Sequence, residues 1–99
     1  MLNIVKNFEG DKLVVALEGR LDTTTAPELE ATLKEELPKA QSAVLDFDKL
    51  EYISSAGLRV LLTAQKEMVK KGGMVIKNVC PEILEVFEIT GFSDILTVE

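Results

Sequence analysis

Histidine is absent from the 99-residue chain and cysteine occurs once, and these two shortages remove whole classes of chemistry. Without an imidazole there is no Ser-His-Asp or Cys-His nucleophile system, no histidine metal site and no phosphohistidine transfer within the chain. A lone Cys80 forms neither an internal disulfide nor a cysteine zinc site. Long apolar runs are missing too. The longest continuous one, Leu13 to Leu17, falls far short of the roughly 18 residues that suggest a membrane span. The N-terminal stretch Met1-Leu2-Asn3-Ile4-Val5-Lys6 lacks the apolar core and small-residue cleavage pattern of a secretory signal. These features predict a cytoplasmic protein with no membrane span.

Positive charge is also short, with 11 Lys and Arg against 17 Asp and Glu, a net charge of -6 and a pI near 4.7. A phosphate backbone is repelled on average by such a chain, so direct nucleic-acid binding is disfavoured. The only basic cluster, Lys66, Lys70 and Lys71, reads as the solvated side of a helix. Against these shortages stand 46% hydrophobic and 28% charged residues, the composition of a globular domain. A chain of this size buries roughly 65% of its unfolded surface, enough for one core without metal or disulfide support. The expectation is a single domain over residues 1–99.

Leu2-Asn3-Ile4-Val5 and Lys12 to Leu17 read as strands joined by the turn Glu9-Gly10-Asp11, an opening antiparallel pair. Thr25 and Glu28 have capping-box spacing with Pro27 in the first turn, so a helix should begin near Ala26. Leu29, Leu33 and Leu37 then give it one apolar side, Glu30 and Lys34 an i,i+4 pair on the other, and Pro38 its stop. Ala43 to Phe47 reads as an inner strand covered on both faces. From Ser54, the residues Leu58, Leu61, Leu62, Met68 and Val69 follow helical rhythm until Gly72-Gly73. Met74 to Val79 predicts a strand, Pro81 opens a helix carrying Ile83, Leu84 and Phe87 with Gly91 beyond its end, and a short strand is expected near Leu96 to Val98. Strands alternating with helices after a hairpin imply an α/β fold, a mixed sheet with helices packed on it.

The most informative stretch is Tyr52-Ile53-Ser54-Ser55-Ala56-Gly57-Leu58-Arg59-Val60-Leu61-Leu62. It sets two hydroxyls at a strand-to-helix junction, where free N–H groups and the helix dipole favour an anion such as a phosphate. Gly57 removes a side chain in the first turn, which lets another protein approach the backbone closely. On local chemistry alone the same residues read more readily as a plain cap, with Ser54 or Ser55 closing the helix and Gly57 easing packing. Asp22 fits a partner surface or a helix N-terminus. Asp46 has no second carboxylate in a recognisable acid/base arrangement, and Cys80 fits a small buried hydrophobe. Gly72-Gly73 lacks the Lys-Ser/Thr of a phosphate loop. No cofactor or metal site emerges.

Ser54 to Leu58 resembles the phosphorylation loop of the anti-sigma-factor antagonists, the bacterial single-domain members of the STAS family, whose motif is commonly Asp-Ser-Ser/Thr-Gly-Leu before a helix. Aligning Gly57-Leu58 with its Gly-Leu puts Ser55 on the phosphoacceptor. Glu18-Gly19-Arg20-Leu21-Asp22 resembles the family's Gly-x-Leu-Asp turn, and Val44-Leu45-Asp46-Phe47 its central strand. Asn78-Val79-Cys80-Pro81-Glu82 with Ile89-Thr90-Gly91-Phe92 resembles its last strand and helix. The likeness spans essentially the whole chain, with two departures: Ser54 stands where many members carry Asp, and Ala56 where they carry Ser or Thr. Ser54 is therefore an alternative acceptor.

The resemblance implies a sheet of about four to five strands with about three to four helices. It also implies a switch without catalysis. The unmodified protein binds an anti-sigma factor that is also a serine kinase and frees the sigma factor; phosphorylation releases it until a phosphoserine phosphatase restores it. Asp22, Thr23, Ser54, Ser55, Ala56, Gly57 and Arg59 would form the docking surface. Other readings are a partner pair governing secretion or motility, a non-switching STAS accessory subunit of a transport complex, a small-ligand or nucleotide-binding domain, and an enzyme using Asp22 and Asp46.

Overall fold

A computed structural model describes all residues, Met1–Glu99. The order of elements is β1 (Leu2–Glu9), β2 (Lys12–Leu21), α1 (Ala26–Glu36), β3 (Ser42–Ile53), α2 (Ser55–Met68), β4 (Met74–Lys77), α3 (Pro81–Thr90) and β5 (Thr97–Val98). Short 3-10 turns follow α1 at Leu37–Lys39 and α3 at Phe92–Asp94. The five strands lie in the order β1-β2-β3-β4-β5. Only the β1–β2 hairpin is antiparallel; β2, β3, β4 and β5 run parallel. Because each parallel strand is added beside the last in one direction, right-handed crossovers all fall on the same side of the sheet. The result is two layers, with the other sheet face bare.

Burial follows that architecture. Leu13, Val15 and Leu17 of β2, Leu45 and Phe47 of β3, and Met74 and Ile76 of β4 are buried, whereas Val14, Ala16, Val44, Asp46 and Val75 on the opposite face remain partly exposed. The inner position expected for β3 is correct, but its cover is on one face only: alternation along Ser42 to Phe47 reflects a strand under helices on one side and water on the other. Leu29, Leu33 and Leu37 from α1 and Leu58, Leu61, Ala64 and Met68 from α2 fill the helix side. Phe87 of α3 meets Phe47 with ring centroids 6.4 Å apart, tying the last helix to the same core. Two apolar positions of the helical rhythms face outward instead: Val69 is 66% exposed beyond the end of α2, and Leu84 is 37% exposed. Leu62 is only half-buried.

Strand β3 is longer than its apolar run because it bulges twice. Its pairing to β2 shifts between Ala16 and Glu18 and again between Gly19 and Arg20, each shift adding one residue to β3. Period-two alternation is lost beyond Phe47, and Leu50 and Ile53 become the inward positions. Asp46 braces the first bulge, its Oδ1 accepting from the Asp48 amide at 3.0 Å and from Asn78 Nδ2 at 3.0 Å.

Two lysines fasten the far ends of the helices. Lys6 of β1 reaches the buried Glu36 at 2.6 Å, with Lys39 3.6 Å from the other carboxylate oxygen. The proposed Glu30–Lys34 pair does not come within ion-pair distance. Lys71 is no part of a free basic face: its Nζ donates to the carbonyls of Leu37 at 2.9 Å, Ala40 at 3.0 Å and Pro38 at 3.3 Å, sharing the Leu37 oxygen with the Ala40 amide and tying the turn after α1 to the end of α2. Lys71→Met should cost about 1 kcal/mol, given the usual worth of charge-assisted bonds in partial solvent, and lower the unfolding midpoint by roughly 4 to 8 °C. An unchanged midpoint in thermal unfolding would contradict this role.

Candidate functional site

The parallel strands β2, β3 and β4 bring their C-terminal ends to one edge of the sheet, so the connections beginning at Asp22, Ser54 and Asn78 lie along the same rim. That rim is where parallel α/β sheets gather functional loops. The first two connections are bonded together, the Ser54 amide donating to the Leu21 carbonyl at 2.9 Å.

Asp22 organises the first loop. Its Oδ1 accepts from the Thr24 amide at 3.0 Å, the Thr24 hydroxyl at 2.8 Å and the Thr25 amide at 3.1 Å. The capping box expected from Thr25 and Glu28 does not form. The Thr25 hydroxyl turns back instead, donating to the Arg20 carbonyl at 2.8 Å and accepting from the Asp22 amide at 2.8 Å. Asp22 takes over the amides at the helix entrance, and Thr23 is left exposed at the loop tip. Arg20 leans across the rim, its guanidinium 4.2 Å from the Tyr52 ring centroid and its Nε 3.9 Å from Asp22 Oδ2.

The Thr24 hydroxyl bond, helped by the Thr25 and Thr24 amides against partial desolvation, holds the Asp22 carboxyl down from 3.8 to about 2. A depressed carboxylate stabilises the fold above its unfolded value and loses that contribution as pH falls through its folded one. Asp22→Asn should therefore melt below the parent at pH 7, and the gap should close between the two values, 3.8 and about 2. A gap that is constant with pH would show that the charge is not what holds the loop.

The second connection separates the roles of its hydroxyls. Ser54 is the N-cap of α2: its backbone is extended, and its half-buried Oγ accepts from the Gly57 amide at 3.4 Å. Ser55 is the first helical residue, exposed, with its hydroxyl making no hydrogen bond inside the chain. One serine is thus occupied by the helix and the other is free at the surface. Gly57 faces inward. A Cβ there would stand 2.7 Å from Leu21 Cγ and 2.9 Å from Ile53 Cγ1, so the glycine lets α2 settle on the ends of β2 and β3 rather than clearing the surface for a partner.

Beside Ser55, α1 and α2 diverge around an open hollow of about 220 Å³ lined by Thr23, Pro27 and Glu30 on one side and Ala56, Arg59 and Thr63 on the other. Thr23, Ala56 and Arg59 are thereby brought together, with Ser55 next to them on the exposed side; Asp22 and Ser54 lie behind as supports. From sequence, Pro27 and Glu30 have only helix-forming roles and Thr63 none, although Ala56, Arg59 and Thr63 recur at helical spacing along one side of α2. Asp46 belongs elsewhere, to a hollow on the bare sheet face with Asn3, Val5 and Glu18. Cys80 is half-buried at the start of α3, its Sγ 3.9 Å from the Leu50 carbonyl. No group of three or more His, Cys, Asp or Glu side chains is arranged to hold a metal ion, and no helix is long and apolar enough to cross a membrane.

A mixed sheet opened by a hairpin, covered by helices on one face and carrying a capped serine pair at the rim, defines a small α/β domain of a recognised kind. The STAS domain matches residues 3–99, and the chain belongs to the STAS family. A protein of Bordetella bronchiseptica named as an anti-sigma factor antagonist, BtrV, is 41% identical over 88 residues, covering 87% of this chain and 76% of the relative. Among solved structures, an anti-sigma factor antagonist from Mycobacterium paratuberculosis superposes with a TM-score of 0.90 at 21% identity, over 99% of this chain and 85% of that one. The Bacillus cell fate determinant SpoIIAA in its phosphorylated form superposes with a TM-score of 0.76 at 18% identity, over 98% and 91% of the two chains.

Proposed function

We propose that this chain is a phosphorylation-controlled antagonist of an anti-sigma factor, acting by binding and not by catalysis. Unmodified, it docks an anti-sigma factor that is also a serine kinase through Thr23, Ala56 and Arg59 around Ser55, and the sigma factor is freed. The kinase then transfers the γ-phosphoryl group of ATP to Ser55. The Oγ–P bond forms as the bond from that phosphorus to the β-phosphate bridging oxygen breaks, the hydroxyl proton passes to a base of the kinase, and ADP leaves. The added charge ends the complex until a phosphoserine phosphatase hydrolyses the ester in the cytoplasm.

The observation that carries this reading is the division of labour between the serines: Ser54 caps α2 while Ser55 stands exposed and unbonded beside the hollow. A kinase must reach a free hydroxyl, and a phosphate at the first helical position is favoured by the dipole. The names of the relatives support the partner class.

Capture of partners from the native cytoplasm, with phosphopeptide mapping of the chain itself, tests both halves. An anti-sigma factor of the kinase type should be retained by unmodified chain, and phosphate should map to Ser55. Phosphate found solely on Ser54 would overturn the residue assignment, and failure to retain any such partner would overturn the function.

A further inference from the structure

We propose that Arg59 is the intramolecular partner of the modified serine: once Ser55 carries phosphate, the Arg59 guanidinium folds back one helical turn onto it and withdraws from the hollow between α1 and α2. The inference rests on the reading that Ser55 is the acceptor, and it concerns how the modified state is held.

Ser55 and Arg59 are four residues apart on α2, the spacing at which side chains stand one above the other. Helical side chains lean toward the N-terminus, so the long arm of Arg59 projects over the turn that begins with Ser55. In the unmodified chain Arg59 is exposed and lies within 4.0 Å of no carboxylate, although Glu30 lines the same hollow. It is available. Arg20 and Lys71, by contrast, are engaged: Arg20 lies over Tyr52 beside Asp22, and Lys71 is bonded to three carbonyls.

The charged groups that the neighbouring elements bring toward this corner are Glu30 on α1, which lines the hollow, and, behind Thr23, Asp22 with Arg20 3.9 Å from it. Glu30 repels a phosphate, which carries about -1.5 to -2 charges at pH 7, while Arg20 already offsets Asp22. Arg59 has no carboxylate partner of its own, and its fork of donors matches phosphate oxygens in a two-bond arrangement. Pairing changes the docking surface twice in one event. A neutral hydroxyl becomes an anion, and the hollow's lip loses its cation, leaving Glu30 as the charged side chain there. A partner that uses an acidic group to meet Arg59 then faces only negative charge.

The test installs phosphoserine at position 55 of the full chain during translation and follows the second ionisation of the phosphate by 31P NMR, in the parent, Arg59→Gln and Arg59→Lys. The ordinary value is near 6. The parent should titrate about 0.5 pH unit below Arg59→Gln, close to a threefold difference in the dissociation constant, with Arg59→Lys between them. The Arg59 Nε–H proton resonance of the parent should move with the same midpoint. Unmodified Arg59→Gln should melt with the unmodified parent, since a merely structural role would shift that midpoint and leave the phosphate titration unmoved. Equal phosphate titrations in the parent and Arg59→Gln, or an Arg59 resonance indifferent to the phosphate, would overturn the pair. Because the phosphate is placed at position 55 during translation, without the kinase, such a result counts against the pair alone, whereas phosphate mapping elsewhere in cells counts against the acceptor assignment.

Discussion

Ser55→Glu is expected to weaken binding of the kinase-type anti-sigma factor by about 30-fold or more while leaving the fold nearly untouched. Ser55 caps nothing, since Ser54 supplies the cap, and it is exposed at the first position of α2. A carboxylate there gains from the helix dipole, so the change in folding stability should be about 1 kcal/mol or less. At a docked interface the same charge must give up its water or face groups that serve the kinase's nucleotide, and an unpaired buried charge costs about 2 to 5 kcal/mol. The lower end of that range is already roughly 30-fold in affinity. Ser55→Ala should bind like the parent and resist modification. Thermal unfolding run beside partner titrations on all three proteins separates binding from folding. A common loss of affinity and stability in Ser55→Glu would mean that the charge disrupts the helix rather than the interface.

The second large effect is on the fold. Gly19→Ala should destabilise the chain by about 2 to 4 kcal/mol, because conformational strain and steric overlap act together. Gly19 sits at φ +108°, where a side chain is strained, and a Cβ would fall 2.3 Å from the Met1 carbonyl oxygen. That oxygen cannot simply move, since it accepts the Arg20 amide at 3.0 Å. The register shift between β2 and β3 occurs at the same point, just before the loop in which Asp22 holds Thr24 and Thr25. The variant should therefore melt roughly 10 °C or more below the parent and lose partner affinity with it. A variant that melts with the parent would show that β2 tolerates a different path into the loop.

Much of this arrangement is legible in the order of residues. Helix α2 announces itself through a serine at its entrance, inward positions at Leu58, Leu61 and Met68, and a glycine pair after its end. The β1–β2 hairpin follows from two strand-like runs around Gly10. What escaped is set by contacts distant in sequence. Thr25 has a capping residue's chemistry and spacing, but its hydroxyl is drawn to Arg20 and Asp22 once β2 and the loop close together. The length of β3 is hidden because two bulges break the alternation that marks a strand. Gly57 looks like an opening for a partner until Leu21 and Ile53 are seen against it. The hollow has two walls from different helices, so Glu30 and Pro27 gain meaning only when α1 is set beside Arg59. Which of Ser54 and Ser55 caps α2 is likewise set by backbone geometry and not by composition.

The switch itself is most directly tested by titrating the captured anti-sigma factor into two preparations of the full chain, one unmodified and one carrying a single phosphate on Ser55, at equal salt and with unfolding curves recorded for both. The account predicts a folded phosphoprotein whose affinity is lower by roughly 30-fold or more, and recovery of binding when a phosphatase removes the group. Equal affinity of the two preparations, with both folded, would contradict it.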